Sequence, residues 1–150
     1  MDEWYPHVTV ATVVLQDDRY LLVEERDNYS GALVFNQPAG HLEQGETLVQ
    51  AALRETLEET GWEVELQGVL GIALYTAPAN HITYCRHTFL GRPLRQRHAA
   101  APDADIHRVH WLDYGEIIAL SARMRSPMVL AAIEQQRRGS CYPLDIFYDR

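Results

Sequence analysis

Glu55, Glu58 and Glu59 stand at i, i+3 and i+4, the spacing that sets side chains on one face of an α-helix. Carboxylates so placed repel one another, each pair costing an isolated helix roughly a few tenths of a kcal/mol. A hard divalent cation removes the repulsion and takes the oxygens as ligands. Mg²⁺ suits the set because it accepts a few carboxylates, keeps waters and bridges to substrate phosphates; Mn²⁺ also suits oxygen ligands. Arg54 adjoins Glu55, where it could pair with Glu46 and fix the preceding loop, Gly40-His41-Leu42-Glu43-Gln44-Gly45-Glu46, against the helix. The chemistry this points to is a divalent metal site that can engage substrate phosphates. A solvated acidic helix face is the alternative.

The element carrying these groups has legible ends. Thr47 and Gln50 form a capping box, and Gly61 falls where a left-handed cap is common. At ~100° per residue, Val49, Leu53, Thr56, Leu57 and Thr60 share the side away from the carboxylates. Ala51 and Ala52 lie near the carboxylates and leave room above the helix. Upstream, residues 7–15 (HVTVATVVL) and 19–25 (RYLLVEE) predict strands around an Asp17-Asp18 turn. Residues 33–35 form a short extended piece leading into Gln37-Pro38-Ala39-Gly40. Downstream, residues 63–75 and 81–90 predict long strands joined through Pro78, with a loop at 99–105 and a strand at 109–112. Helices follow at 114–120 and 126–138, the second with Ser126 as N-cap, Pro127 at its first position and Gly139 past its end. This order predicts an α/β domain spanning 1–150, a mixed sheet with helices packed on it.

Gly40, five residues, Glu46, seven residues, Arg54-Glu55, two residues, Glu58-Glu59, one residue and Gly61 together resemble the box that defines the Nudix hydrolase family. Two positions depart from it. Thr56 replaces a bulky aliphatic residue, with Leu57 beside it the expected substitute in packing, and Trp62 replaces an aliphatic residue after the glycine. Residues 7–11, 36–43, 46–49, 125–127 and 142–144 extend the resemblance to the NudJ-type phosphatase branch of that family. The resemblance implies a Nudix α/β/α sandwich with a catalytic loop-helix-loop. It also implies hydrolysis of small pyrophosphates: nucleoside tri- and diphosphates, thiamine pyrophosphate and hydroxymethylpyrimidine pyrophosphate, with release of orthophosphate.

By the same resemblance, Glu55, Glu58 and Glu59 hold Mg²⁺ with the Gly40 carbonyl, and one of them, with Glu59 and Glu55 the candidates, or a carboxylate outside the helix takes the proton from the attacking water. Arg54 orients Glu55, and Glu46 orients the loop. Asp105 is the candidate for a further acidic ligand, with Asp103 the runner-up and a loop aspartate the alternative. Arg26 is a candidate phosphate contact or a solvated strand end. His41 touches phosphate or steadies its loop, and Asn36 and Gln37 read a base edge or satisfy a turn. Tyr75, His81 and Tyr84 stack on a heterocycle or fill space.

Bulk properties narrow the partners. The net charge of −8 argues against nucleic acid and leaves small phosphorylated substrates open where a metal offsets local charge. No stretch approaches the ~20 apolar residues of a membrane helix, and the first residues lack a secretory layout. Cys85 and Cys141 fit no metal-finger spacing. A cytoplasmic protein with reduced thiols, monomeric or homodimeric, is the expectation. An ADP-ribose or dinucleotide pyrophosphatase, or a non-catalytic Nudix ligand sensor, is the competing assignment.

Overall fold

A computed structural model describes residues 2–97 and 104–149. The strands are β1 (His7–Gln16), β2 (Arg19–Arg26), β3 (Leu33–Asn36), β4 (Ala39–His41), β5 (Trp62–Thr76), β6 (Thr83–Gln96) and β7 (Ile106–Asp113). The helices are α1 (Leu48–Thr60), α2 (Tyr114–Ala119) and α3 (Pro127–Arg137). β1 runs parallel to β6 and antiparallel to β4, and β5 pairs antiparallel with β6. At its far end β1 turns through Asp17 and Asp18, with φ of 51° and 61°, the double positive φ of a tight hairpin turn that aspartate tolerates. The chain returns as β2, which pairs with β3 and β7.

Residues 39–41, expected as loop, form β4 through the register Val10↔Gly40. Alanine, glycine and histidine carry no strand signal of their own; the neighbouring strand imposes the conformation.

β1 is buried on both faces from Thr9 to Val14, which explains its nearly continuous apolar run. Its side chains alternate between two cores. Val10 and Val14 join Leu21, Ala51, Ala52, Leu66, Val69 and Phe89 beneath α1. Val13 joins Tyr20, Leu22, Phe35, Leu70, Ile117, Ala132 and Ile133 beneath α2 and α3. Helices on both faces of the sheet make the α/β/α sandwich.

The helix signals place α1 correctly. Gln50 N donates to Thr47 Oγ1 at 3.1 Å, Thr47 N donates to Gln50 Oε1 at 2.9 Å, and Gly61 adopts φ 78°. The rotation of α1 differs from the wheel. Ala51, Ala52, Thr56, Glu59 and Thr60 are buried, whereas Leu53 is exposed. The alanines therefore face the sheet and not the space above the carboxylates, since their small side chains let α1 approach β1 closely. Leu57, only half-buried, does not stand in for the bulky residue expected at Thr56. The Thr56 hydroxyl donates to Ala52 O at 2.8 Å and lies 3.2 Å from Thr12 Oγ1, so a pair of core hydroxyls occupies that space.

The C-terminal tail is stitched to β5. Val69 N donates to Tyr142 O and Tyr142 N to Val69 O, both at 2.8 Å. Gly68 makes this possible, because a Cβ there would sit 2.9 Å from Tyr142 O and collide with the Cys141 thiol. Gly68→Ala should destabilise the fold by about 1–3 kcal/mol, measured by urea unfolding. Unchanged stability would show that the tail contributes nothing at this contact.

Candidate active site

α1 begins directly after a turn that carries its own acids. Glu46 N donates to Glu43 O at 3.2 Å, Glu43 N donates to Glu46 Oε1 at 2.8 Å, and Gly45 supplies φ 86°. Arg54 closes this turn onto the helix. Its Nε and Nη2 grip Glu46 at 2.9 and 2.7 Å, and Nη2 also reaches His41 O at 3.0 Å. Its Nη1 lies 2.8 Å from Glu55, 3.2 Å from Glu58 and 3.5 Å from Glu43. These bonds hold the Glu46 carboxyl down to about 2 and push the arginine up. Arg54 thus orients Glu55 and pins the loop through Glu46, as the sequence suggested.

Glu55 lies flat on Gly40, where any Cβ would collide with its carboxyl. Glu59, one turn on, is buried and accepts Ala39 N at 2.7 Å. Both line a cavity of about 560 Å³ together with Gly40, His41 and Asp105. Glu58 is exposed and turned to Arg54. The donors in this corner are carboxylate and carbonyl oxygens, the chemistry that a hard divalent cation takes. Among the described residues, no three acidic, histidine or cysteine side chains converge to enclose an ion; Arg54 draws Glu55 and Glu58 toward itself.

The cavity also has a basic lining, which was not anticipated. Arg86 and Arg125 line the cavity with Glu25 and Asn36. Arg125 Nη1 pairs with Glu25 Oε1 at 3.2 Å, and Asn36 Nδ2 donates to the same oxygen at 3.2 Å. Burial nevertheless pushes the Glu25 carboxyl up. Arg86 Nη2 donates to Gln37 Oε1 at 2.6 Å and Asn36 Oδ1 at 3.2 Å. Burial lowers the Arg86 guanidinium to about 10, against the fields of Glu25 and Glu59, so it stays charged at neutral pH.

Further lining comes from the β5–β6 connection: Tyr75, Ala77, Pro78, Asn80 and Tyr84, with Asn80 Nδ2 donating to Tyr84 Oη at 2.9 Å. His41 stands between Tyr84 and His7, whose Nδ1 lies 3.1 Å from His41 Nε2. Burial, and His7 beside it, lower the His41 pKa.

Of the residues expected at the site, Gly40, His41, Glu55, Glu59, Tyr75, Tyr84, Asn36 and Asp105 meet at the cavity. Arg26 does not: its Nη1 donates to Gly31 O at 2.6 Å and ties its own loop. Gln37 is buried behind the wall, donating to Val129 O at 2.8 Å, so it positions Arg86 instead of reaching the cavity. His81 sits at φ 60° in the β5–β6 turn, and Asp103 lies outside the described residues. Glu25, Arg86 and Arg125 had one weak signal, charges in or next to apolar strand or helix segments; pairing of the arginines across 49 to 100 residues carries no local pattern.

Comparison with known proteins agrees with this architecture. The NUDIX domain family model matches residues 5–131. The Phosphatase NudJ of Escherichia coli K12 is 41% identical over 145 residues, covering 96% of this chain and 92% of that protein. A NUDIX hydrolase from Nitrosomonas europaea superposes with a TM-score of 0.93 at 44% identity, covering 97% of this chain and 98% of the other. The NUDIX domain of Shewanella oneidensis NrtR, complexed with ADP ribose, superposes at 0.73 with 18% identity over 91% and 90% of the two chains, a likeness of fold alone. With Gly40, Glu55 and Glu59 of the box at one cavity and the match running along most of its length, the chain belongs to the Nudix family and is a hydrolase acting on phosphorus-containing acid anhydrides.

Proposed function

We propose that this chain is a Mg²⁺-dependent phosphatase of small pyrophosphates, taking nucleoside tri- and diphosphates, thiamine pyrophosphate or hydroxymethylpyrimidine pyrophosphate and releasing orthophosphate. The observation that carries this is one cavity lined both by the carboxylates Glu55 and Glu59 and by the guanidinium groups Arg86 and Arg125. A phosphate chain suits such a lining, its anionic oxygens meeting the arginines and its metal-binding oxygens the carboxylates. The similarity to Phosphatase NudJ supports the choice of substrates.

In this assignment Glu55, Glu58, Glu59 and the Gly40 carbonyl hold the ion, and Asp105, which lines the same cavity, adds a ligand. A bound divalent ion withdraws charge from phosphate and makes coordinated water more acidic. Arg54 keeps Glu55 and the Glu43–Glu46 turn in place. Glu59, fixed by Ala39 N–H, or Glu55 accepts the proton from the attacking water, as a coupled pair. Tyr75 and Tyr84, which line the cavity, stack on the heterocycle of the substrate. A cytoplasmic location and a monomeric or homodimeric state complete the proposal.

The test is a panel in Mg²⁺ of hydroxymethylpyrimidine pyrophosphate, thiamine pyrophosphate, GTP, GDP and ADP-ribose, with orthophosphate, pyrophosphate and, for ADP-ribose, AMP assayed separately. Orthophosphate from the first four is expected. Cleavage of ADP-ribose alone would move the assignment to a dinucleotide-type pyrophosphatase, and binding without cleavage to a sensor. Glu59→Gln should lower kcat by at least ~100-fold; near-normal turnover would refute its role.

The Arg54–Glu46 tie also predicts a pH dependence. Glu46 is about 2 in the folded chain against an ordinary 4.5. A depressed carboxyl stabilises the fold fully above the ordinary value and loses that contribution as pH falls toward the folded one. Glu46→Gln should therefore flatten the fall in Tm between roughly pH 4.5 and 2, read by thermal melts. An acid limb identical to that of the unsubstituted protein would exclude the tie as its source.

A further inference from the structure

Resting on the assignment of this cavity to a phosphate chain, the geometry points to Arg86 as the residue that receives a free terminal phosphoryl group, selecting chains that end in a phosphomonoester over chains capped at both ends. Arg86 lies on β6, a strand paired on both sides, opposite Thr9 of β1 and Ala73 of β5. Its backbone therefore sits in a central part of the sheet. Its side chain is equally constrained. The two oxygens that hold Nη2 belong to Asn36 and Gln37, and each amide has its nitrogen committed elsewhere, Asn36 to Glu25 and Gln37 to Val129 O. Neither amide can turn without breaking a second bond, so both present oxygen to the arginine.

These partners are neutral, and Glu25 and Glu59 act on Arg86 through space. Its Nε is buried and has no hydrogen-bond partner among the described residues. A buried guanidinium with an unmade donor is costly. Arg125, by contrast, is joined to Glu25 at 3.2 Å, and Arg54 is surrounded by carboxylates. Arg86 is thus a guanidinium of the cavity lining that is oriented in advance and, among the described residues, makes no ion pair with a carboxylate.

The ligand that matches it is a dianion with several acceptor oxygens. A terminal phosphoryl group carries nearly two charges and three free oxygens, which suits the fork of a guanidinium. An internal diester carries one charge and two such oxygens. With its end at Arg86, a chain extends toward Glu55 and Glu59, and its organic group falls toward Tyr75 and Tyr84.

The test uses binding, so that it does not depend on turnover. Methylenediphosphonate, a non-cleavable pyrophosphate analogue with free ends, and its P,P′-dimethyl ester, capped at both, are titrated calorimetrically into the protein in Mg²⁺. The unsubstituted chain should prefer the free-ended probe by ~10-fold or more. Arg86→Met should weaken that probe by ~30-fold or more while changing the capped one less than ~3-fold. Arg86→Lys, which keeps the charge without the fork, should fall between them; should the methionine variant fail to fold, the lysine variant carries the comparison. A folded variant that retains the full preference, or an unsubstituted chain with none, overturns the proposal. Arg86-dependent binding together with no cleavage anywhere in the substrate panel would sink the catalytic assignment and leave this one standing. Normal cleavage with an unchanged preference in the variants would do the reverse.

Discussion

Arg54 is the interaction on which the catalytic corner depends. One guanidinium meets Glu43, Glu46, Glu55 and Glu58 and also takes the His41 carbonyl. Its planar fork grips Glu46 with two parallel bonds, a geometry that a lysine ammonium cannot reproduce. The loop and the helix are thereby made one rigid body, and Glu55 is laid against Gly40. One positive charge does not balance four carboxylates. The remaining negative charge is what a divalent ion would neutralise, so the same arrangement that stiffens the corner keeps it receptive to metal.

The rest of the sandwich supplies the basic lining. β1 is buried on both sides and anchors two cores, which fixes β4 and β6 on either side of it. β4 then carries Gly40 and His41, while β6 carries Arg86 and Tyr84. The polar chain Arg125–Glu25–Asn36–Arg86–Gln37–Val129 links β2, β3 and β6 to the start of α3. Such a network costs more to bury than a hydrophobic one of the same shape. Its retention beside the cavity is understandable where substrate charge completes it.

Much was legible from the residues alone, and for a common reason. The ends of α1, its acids at i, i+3 and i+4, the Arg54–Glu46 tie, the Asp17–Asp18 turn and the Ser126 cap of α3 all rest on contacts within a dozen residues, where local geometry determines the partner. β1 and β2 were legible as strands from their runs of β-branched and apolar residues.

The tertiary structure decided what depends on distant segments. It rotated α1 so that Ala51, Ala52 and Glu59 face inward and Leu53 outward, because close approach to β1 favours small side chains over apolar ones. It turned residues 39–41 into β4 by pairing with β1. It sent Arg26 to its own loop and Gln37 behind the wall, and it brought Glu25, Arg86 and Arg125 together from three separate parts of the chain. The sequence by itself determined the acidic half of the site, since one turn of helix spaces its groups. Only the fold could assemble the basic half, because those side chains meet through sheet register and helix docking, which no local spacing encodes.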